Sequence, residues 1–451
     1  MSASGADTDT DADVLVLGCG PAGAATAIGL ARLGYRVIAA GEPRRFRAVE
    51  GISERVLAGL RNAGFERALA AVHEPSARSA IWNGVSGSVN TERLVDRECF
   101  DRGLLDDLAR NGVRTVAARV ARCGRDAGCH LAELEKSDGP RTLRARFLVE
   151  ARGRAAPSDR SRVRGAETVS LLQGWRGTPA DAASAVESFD DGWAWMARMP
   201  DGERWLQLTL DATNAGLPPK HALADWCVQR LRALAASASF LRDAAPSAEL
   251  HARASTPVLA GEAVGDDWIR VGDAAMAVDP LSGNGIFQAI SSALQAPAVV
   301  NTLLRRPQAG ELAKAFHRAR IEGLFYRFAR IGRDFYAQES RWPARSFWTV
   351  RRAWPDEEPV HRPFAPAEVW ITQRPVVNDA YIEEAEVVVT PDEPGGIWRV
   401  DNLPAAELLR AARNSNGVPL EHALAPLLGN NPQRAAAAAA WMREAGWIAR
   451  E

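Results

Sequence analysis

The sequence predicts an α/β protein: a Rossmann-like domain interleaved with a β-sheet domain, then a small α+β module with a winged-helix-like pattern. Three observations predict it. Residues 13–40 read as strand, glycine turn, helix, strand. Residues 166–211 alternate as β-strands do. Residues after 364 combine short strands with three helical runs. The expected divisions are a disordered tail at 1–12, a first domain from 13–165 and 250–335, and a sheet domain at 166–249. A helical, aromatic and arginine-rich segment at 311–354 and a terminal module at 364–451 follow.

Composition narrows the function classes. The chain has 451 residues, 47% of them hydrophobic, which is enough for two or three well-buried cores. A net charge of -1 argues against a nucleic-acid partner, which selects for a basic excess. The five cysteines form no CxxC, so neither a disulfide framework nor a zinc ribbon is indicated, and a reducing, cytoplasmic setting is expected. The seven histidines are scattered, so no metal site is expected. The acidic N-terminus lacks the pattern of a secretory signal, and no apolar run reaches the roughly 20 residues that span a bilayer, so no membrane partner is expected. Only Lys136, Lys220 and Lys314 are lysines.

The apolar run Val14 to Leu17 breaks into Gly18-Cys19-Gly20-Pro21-Ala22-Gly23 and continues as an alanine-rich helix. Gly18 permits a tight turn, Gly20 lets a pyrophosphate approach the backbone, and Gly23 lets the helix pack close to the sheet. The helix N-terminus, with Pro21 and Ala22, then faces the phosphates. A second strand ends near Gly41, and the first carboxylate there is Glu42, one residue past the expected ribose-binding position. Either Glu42 binds the ribose, or backbone and the arginines around Arg45 hold the adenosine.

Two later stretches select FAD over NAD. Residues 95–113 form a helix with Phe100, Leu104, Leu105 and Leu108 on one face and Arg97 at its start. Residues 268–290 read as a strand, then Gly272-Asp273, then the turn Pro280 to Gly285 with Gly283 and Asn284, and a helix beginning near Ile286. An Asp after a buried strand can bind ribityl hydroxyls. The new helix end can stabilise negative charge on a reduced flavin, a role NAD would not need.

Together these blocks resemble the FAD-dependent monooxygenases of the para-hydroxybenzoate hydroxylase type, with their relatives the tryptophan halogenases and geranylgeranyl reductases. The resemblance covers about residues 12–335 and implies FAD as cofactor with NAD(P)H as transient reductant. It places Arg97 and Val120 near the cofactor and Gly272 and Asp273 on its ribityl chain. O2 would add at flavin C4a, and the distal hydroperoxide oxygen would attack an electron-rich ring. At Ala151-Arg152-Gly153, Arg152 replaces the family's Asp or Thr, which puts its pyridine-nucleotide contact there in doubt. The stretch Trp193-Ala194-Trp195 is similar to the halogenase tryptophan motif, and both indoles are candidate substrate contacts or core. Halogenases also carry a lysine early in the chain; here the first is Lys136, which turns the expectation from halogenation to hydroxylation.

Between 318 and 352 nine arginines face three acidic residues, suggesting either a docking surface for an acidic partner or an amphipathic helix. From Phe364 onward twelve acidic residues face seven arginines, so the winged-helix-like module should recognise protein rather than DNA. The pattern as a whole most resembles the flavin monooxygenases that hydroxylate a peptidyl tryptophan during cysteine tryptophylquinone maturation in quinohemoprotein amine dehydrogenase. That resemblance implies a polypeptide substrate, a small amine dehydrogenase subunit. The alternatives are a tailoring hydroxylase of a free aromatic metabolite, a flavin-dependent alkene reductase, and a non-catalytic FAD-containing assembly factor. No catalytic base is identified.

Overall fold

A computed structural model describes residues 10–42, 44, 46–136, 139–157, 161–283, 285–415 and 417–449. Two site candidates, Arg45 and Asn284, and residues 1–9 of the expected tail lie outside this set. The end of that tail belongs to the fold, because the first strand starts at Ala12.

Strand β1 (Ala12–Leu17) is apolar on both faces, as a strand covered on two sides must be. It pairs in parallel with β2 (Val37–Gly41) and β9 (Arg141–Glu150). The seven-stranded sheet runs β6 (Arg114–Ala117), β2, β1, β9, β8 (Cys129–Glu135), β7 (Arg119–Asp126), with β18 (Trp268–Arg270) also beside β9. Helices α1 (Pro21–Arg32), α2 (Glu54–Ala63), α3 (Arg97–Arg110) and α6 (Gly285–Arg305) bury one side of it. In α1 small side chains allow close contact with α6: a Cβ at Gly29 would lie 2.5 Å from Cγ of Pro297.

The second sheet has nine strands and draws on more of the chain than the expected 166–249. Its order is β15 (Ala245–Pro246), β11 (Thr168–Arg176), β14 (Glu203–Asp211), β13 (Gly192–Arg198), β12 (Ala183–Phe189), β4 (Val72–Trp82), β5 (Val85–Asp96), β3 (Val49–Ile52), with β16 (His251–Ala254) also on β11. The two-residue alternation decides what each face does. Leu171, Ala185, Ala194, Met196, Leu206 and Leu208 pack under α4 (Leu223–Arg232) and α5 (Ala238–Leu241). The opposite face carries Trp193 and Trp195, and Trp195 joins Phe46, Val49 and Leu94. Strands β10 (Val163–Arg164), β17 (Val258–Leu259) and β19 (Met276–Ala277) form a third, small sheet.

The arginine-rich stretch forms α7 (Gly310–Ala337) and α8 (Ser346–Ala353). Most of its aromatics turn inward, with Phe325, Tyr336, Phe347 and Trp348 buried, while Phe335 stays exposed. Its arginines mostly meet this chain's own oxygens. Arg327 pairs with Glu393, Arg330 with Asp356, Arg341 with Glu339 and Arg345 with Asp190, while Arg351 and Arg352 bind backbone carbonyls. Most of these charges are thus met within the chain, where the amphipathic reading expected them in water.

In the terminal module, β20 (Trp370–Asn378) and β21 (Tyr381–Val389) form one hairpin longer than the short strands expected there. Its tip docks on α6: Ile382 N–H donates to Thr302 Oγ1 at 2.8 Å, and Asn301 donates to the Ala380 carbonyl at 2.7 Å. Ile382 thus belongs to the core of the first domain. The short pair β22 (Arg399–Val400) and β23 (Leu403–Pro404) leads to α9 (Ala405–Arg413), α10 (Leu420–Leu424) and α11 (Pro432–Glu444), which enclose a separate core around Leu409, Leu424 and Met442.

Candidate active site

The glycine turn has the shape a diphosphate needs. Gly18 has φ +111°, and a Cβ there would lie 2.3 Å from the Ala151 carbonyl oxygen. A Cβ at Gly23 would lie 1.9 Å from the Gly18 oxygen, so neither position tolerates a side chain. Above Gly20, by contrast, no atom lies within 4 Å. Pro21 opens α1 and no side chain caps that end, so the N–H groups of Ala22 and Gly23, ahead of the first helical bond from Ala24 to Gly20, are available to an anion.

The distant Gly272-Asp273 pair joins this turn. Gly272 has φ +59°, its N–H donates to Ser292 Oγ at 2.9 Å, and a Cβ on it would lie 2.6 Å from that of Ala22. Asp273 follows, 3.7 Å from Arg154 Nε. Its side chain keeps 38% of its exposure, yet surrounding protein raises its pKa by desolvation; both hold for a carboxyl lining a cleft. Next comes the turn Pro280–Ser282, with Asp279 accepting from Leu281 N–H at 2.9 Å. Gly283 (φ +62°) and Gly285 border open space, and Ile286 packs on the first core.

Arg97 is buried between two carboxylates, at 2.6 Å from Glu50 and 2.8 Å from Asp101, and these partners hold its charge firmly. Glu50, absent from the sequence-derived set, is kept ionised despite burial by Arg97 and Arg44. Glu42 is exposed just beyond β2. Val120 packs against the cluster containing Ile38 and Ala40, under the same end of the sheet. These residues fit a dinucleotide: an unobstructed helix end for the diphosphate, polar groups along a cleft, and glycines where a Cβ would intrude.

The structure separates the two candidate indoles. Trp193 is 3% exposed, and its Nε1–H donates to Tyr336 OH at 3.2 Å, so it supports the wall. Trp195 is half-buried. Tyr336 OH in turn donates to Asp279 Oδ1 at 2.9 Å. Burial raises the pKa of Tyr336 well above its usual value and also raises that of Asp279. Leu281, from the Pro280–Ser282 turn, touches the aromatic cluster of Trp82, Trp193, Trp195, Tyr336 and Trp348. Sequence reasoning missed this chain of contacts because Tyr336 lies 57 residues from Asp279. The adjacency of Asp279 to Pro280 was the one available signal.

Among the described residues no group of three or more metal-ligating side chains occurs, and no helix is long and apolar enough to cross a membrane. The model of the FAD-binding domain family matches residues 11–320. The structure of QhpG, a peptidyl tryptophan dihydroxylase essential for tryptophylquinone cofactor biogenesis, is similar over 97% of this chain and 100% of its own, with 51% identity and a TM-score of 0.82. The flavin-dependent halogenase CmlS shares the fold at 17% identity and a TM-score of 0.77, over 97% of this chain and 96% of its own. A tryptophan 2-halogenase of Chondromyces crocatus is 26% identical over 378 residues, 74% of this chain and 69% of its own length. The chain belongs to the FAD-binding domain family and is a flavin-dependent monooxygenase.

Proposed function

We propose that this monooxygenase hydroxylates the indole of a tryptophan carried in a polypeptide, during maturation of a tryptophylquinone cofactor in an amine dehydrogenase subunit, with NAD(P)H as reductant. The observation that carries the reading is 51% identity to QhpG across 97% of the chain. The absence of a lysine before Lys136 supports hydroxylation over halogenation.

Bound FAD would supply O2 activation and an electrophilic oxygen. The first turn of α1 and Gly20 would seat its diphosphate, Asp273 would bind its ribityl hydroxyls, and the N-terminal end of α6 would face its pyrimidine edge. Asp279, Tyr336 and Trp193 link that turn to the aromatic wall and fix the two relative to each other. A half-buried Trp195 beside Leu172 and Ala197 offers an apolar surface for an incoming indole.

The test is to incubate the FAD-loaded protein with an amine dehydrogenase subunit precursor, NADH or NADPH, and O2, and to map mass changes by tandem mass spectrometry. The reading expects two oxygen atoms on one tryptophan. Oxidation of free indoles with no change in the polypeptide would replace it with a tailoring hydroxylase. Incorporation of chloride or bromide would restore the halogenase reading, which the 26% identity to a tryptophan halogenase favours.

A further inference from the structure

One guanidinium near Glu50 and Asp273 feels their charge yet forms no ion pair among the described residues. Arg253 lies on β16, where it pairs with Ser170 of β11, and Ser170 pairs in turn with Thr209, opposite Trp193. Direct partners in a sheet point to the same side, so Arg253 lies on the face bearing the tryptophans. Among the described residues it has no hydrogen-bond or ion-pair partner. Its guanidinium instead lies 4.2 Å from the centroid of Phe46, which Arg44 approaches at 5.4 Å and the His251 ring at 4.6 Å. Arg44 is itself only partly satisfied. It pairs with Asp101 at 3.1 Å and Glu50 at 3.7 Å, but its Nη1 is buried without a partner.

The local charge is unbalanced. Four arginines (Arg44, Arg97, Arg154, Arg253) face three carboxylates (Glu50, Asp101, Asp273), an excess of one positive charge with every acid ionised. Arg253 keeps an exposed face, yet desolvation by the surrounding protein and repulsion from Arg44 push its pKa down to about 10. The diphosphate of FAD already has a seat at the glycine turn. Meanwhile Arg152, at the position where the family resemblance implies a pyridine-nucleotide contact, is folded back onto Glu150 at 2.5 Å.

We propose that Arg253, Arg44 and Phe46 form a second anion seat, which docks the diphosphate of the reducing pyridine dinucleotide. Two guanidiniums held apart by one ring, with unused N–H donors, suit a doubly charged diphosphate. The proposal rests on the reading that NAD(P)H reduces the bound flavin directly.

The experiment is anaerobic stopped-flow reduction of the FAD-loaded protein by NADH and by NADPH, in wild type, Arg253→Gln and Arg253→Lys, alongside fluorescence titration of each apoprotein with FAD. Arg253→Gln should raise the reductant Kd at least about tenfold while the limiting reduction rate and the FAD Kd stay within about twofold. Arg253→Lys should recover part of the loss, because it restores the charge without the planar fork. An unchanged reductant Kd in Arg253→Gln overturns the seat, and so does a weakened FAD Kd with reductant binding unaltered, which would assign Arg253 to FAD. If neither nucleotide reduces the wild-type flavin at any concentration, direct reduction itself fails and the seat fails with it.

Discussion

Replacing Tyr336 with Phe removes one oxygen from the middle of a buried chain of hydrogen bonds. Tyr336 is 2% exposed, Trp193 3% and Asp279 5%, so water cannot take the place of the lost hydroxyl. The Trp193 N–H loses its acceptor, which costs about 1–3 kcal/mol for a buried unsatisfied donor. Asp279 loses a donor, and a hydrogen bond to a charged group contributes about 1.5–3 kcal/mol. The ring's edge contacts with Phe347 at 5.7 Å and Trp348 at 5.9 Å survive, so no cavity term is added. The expected destabilisation is therefore about 3–5 kcal/mol, measured by urea unfolding with the slope unchanged. A double-mutant cycle with Asp279→Ala should show a coupling of about 1–3 kcal/mol, because both replacements break one link. A loss under about 0.5 kcal/mol for Tyr336→Phe, or strict additivity in the cycle, would refute the idea that this link ties the Pro280–Ser282 turn to the wall.

Gly272→Ala should weaken FAD binding at least about tenfold in a fluorescence titration. The left-handed conformation costs an alanine about 1–2 kcal/mol, and its Cβ would press on Ala22 at the diphosphate turn. His317 is buried, its Nε2–H donates to the Arg270 carbonyl at 3.0 Å, and desolvation lowers its pKa to about 4. The unfolded chain therefore binds a proton that the folded one refuses. This residue's contribution, on the order of 3 kcal/mol, is present above the unfolded value near 6.5 and lost as pH falls toward 4. Thermal unfolding of His317→Gln should show a shallower loss of stability across that window. Glu339 is fully buried and accepts from Asn83 N–H at 2.9 Å and Ser188 Oγ at 2.6 Å while pairing with Arg341 at 2.8 Å. Glu339→Gln should cost about 3 kcal/mol and free the β4–β5 hairpin tip, seen as faster hydrogen exchange at residues 82–85.

Local chemistry explains what the sequence determined by itself. Gly18, Gly20 and Gly23 signal their role because each answers a constraint within a few residues: a turn, an approach, a helix contact. The paired alternation in β13 and β14 likewise announces a sheet, and the apolar run of β1 announces a strand covered on both faces. The missing early lysine is legible for the same reason, since it needs only position in the chain.

Tertiary structure decided whatever depends on pairing between distant residues. The nine-stranded sheet recruits β3, β4 and β5 from the first hundred residues, which alternation cannot reveal because it carries no information about partners. Trp193 and Trp195 look equivalent in sequence, and only the fold buries the first with a hydrogen bond to Tyr336 and leaves the second half-buried. The nine arginines between 318 and 352 look like an unspent positive field until Glu393, Asp356 and Asp190 are brought against them. Charge composition is additive along a chain, but its electrostatic effect falls with distance in space, so folding determined that Arg327, Arg330, Arg333, Arg341 and Arg345 would meet carboxylates and that Arg253 would form no ion pair among the described residues.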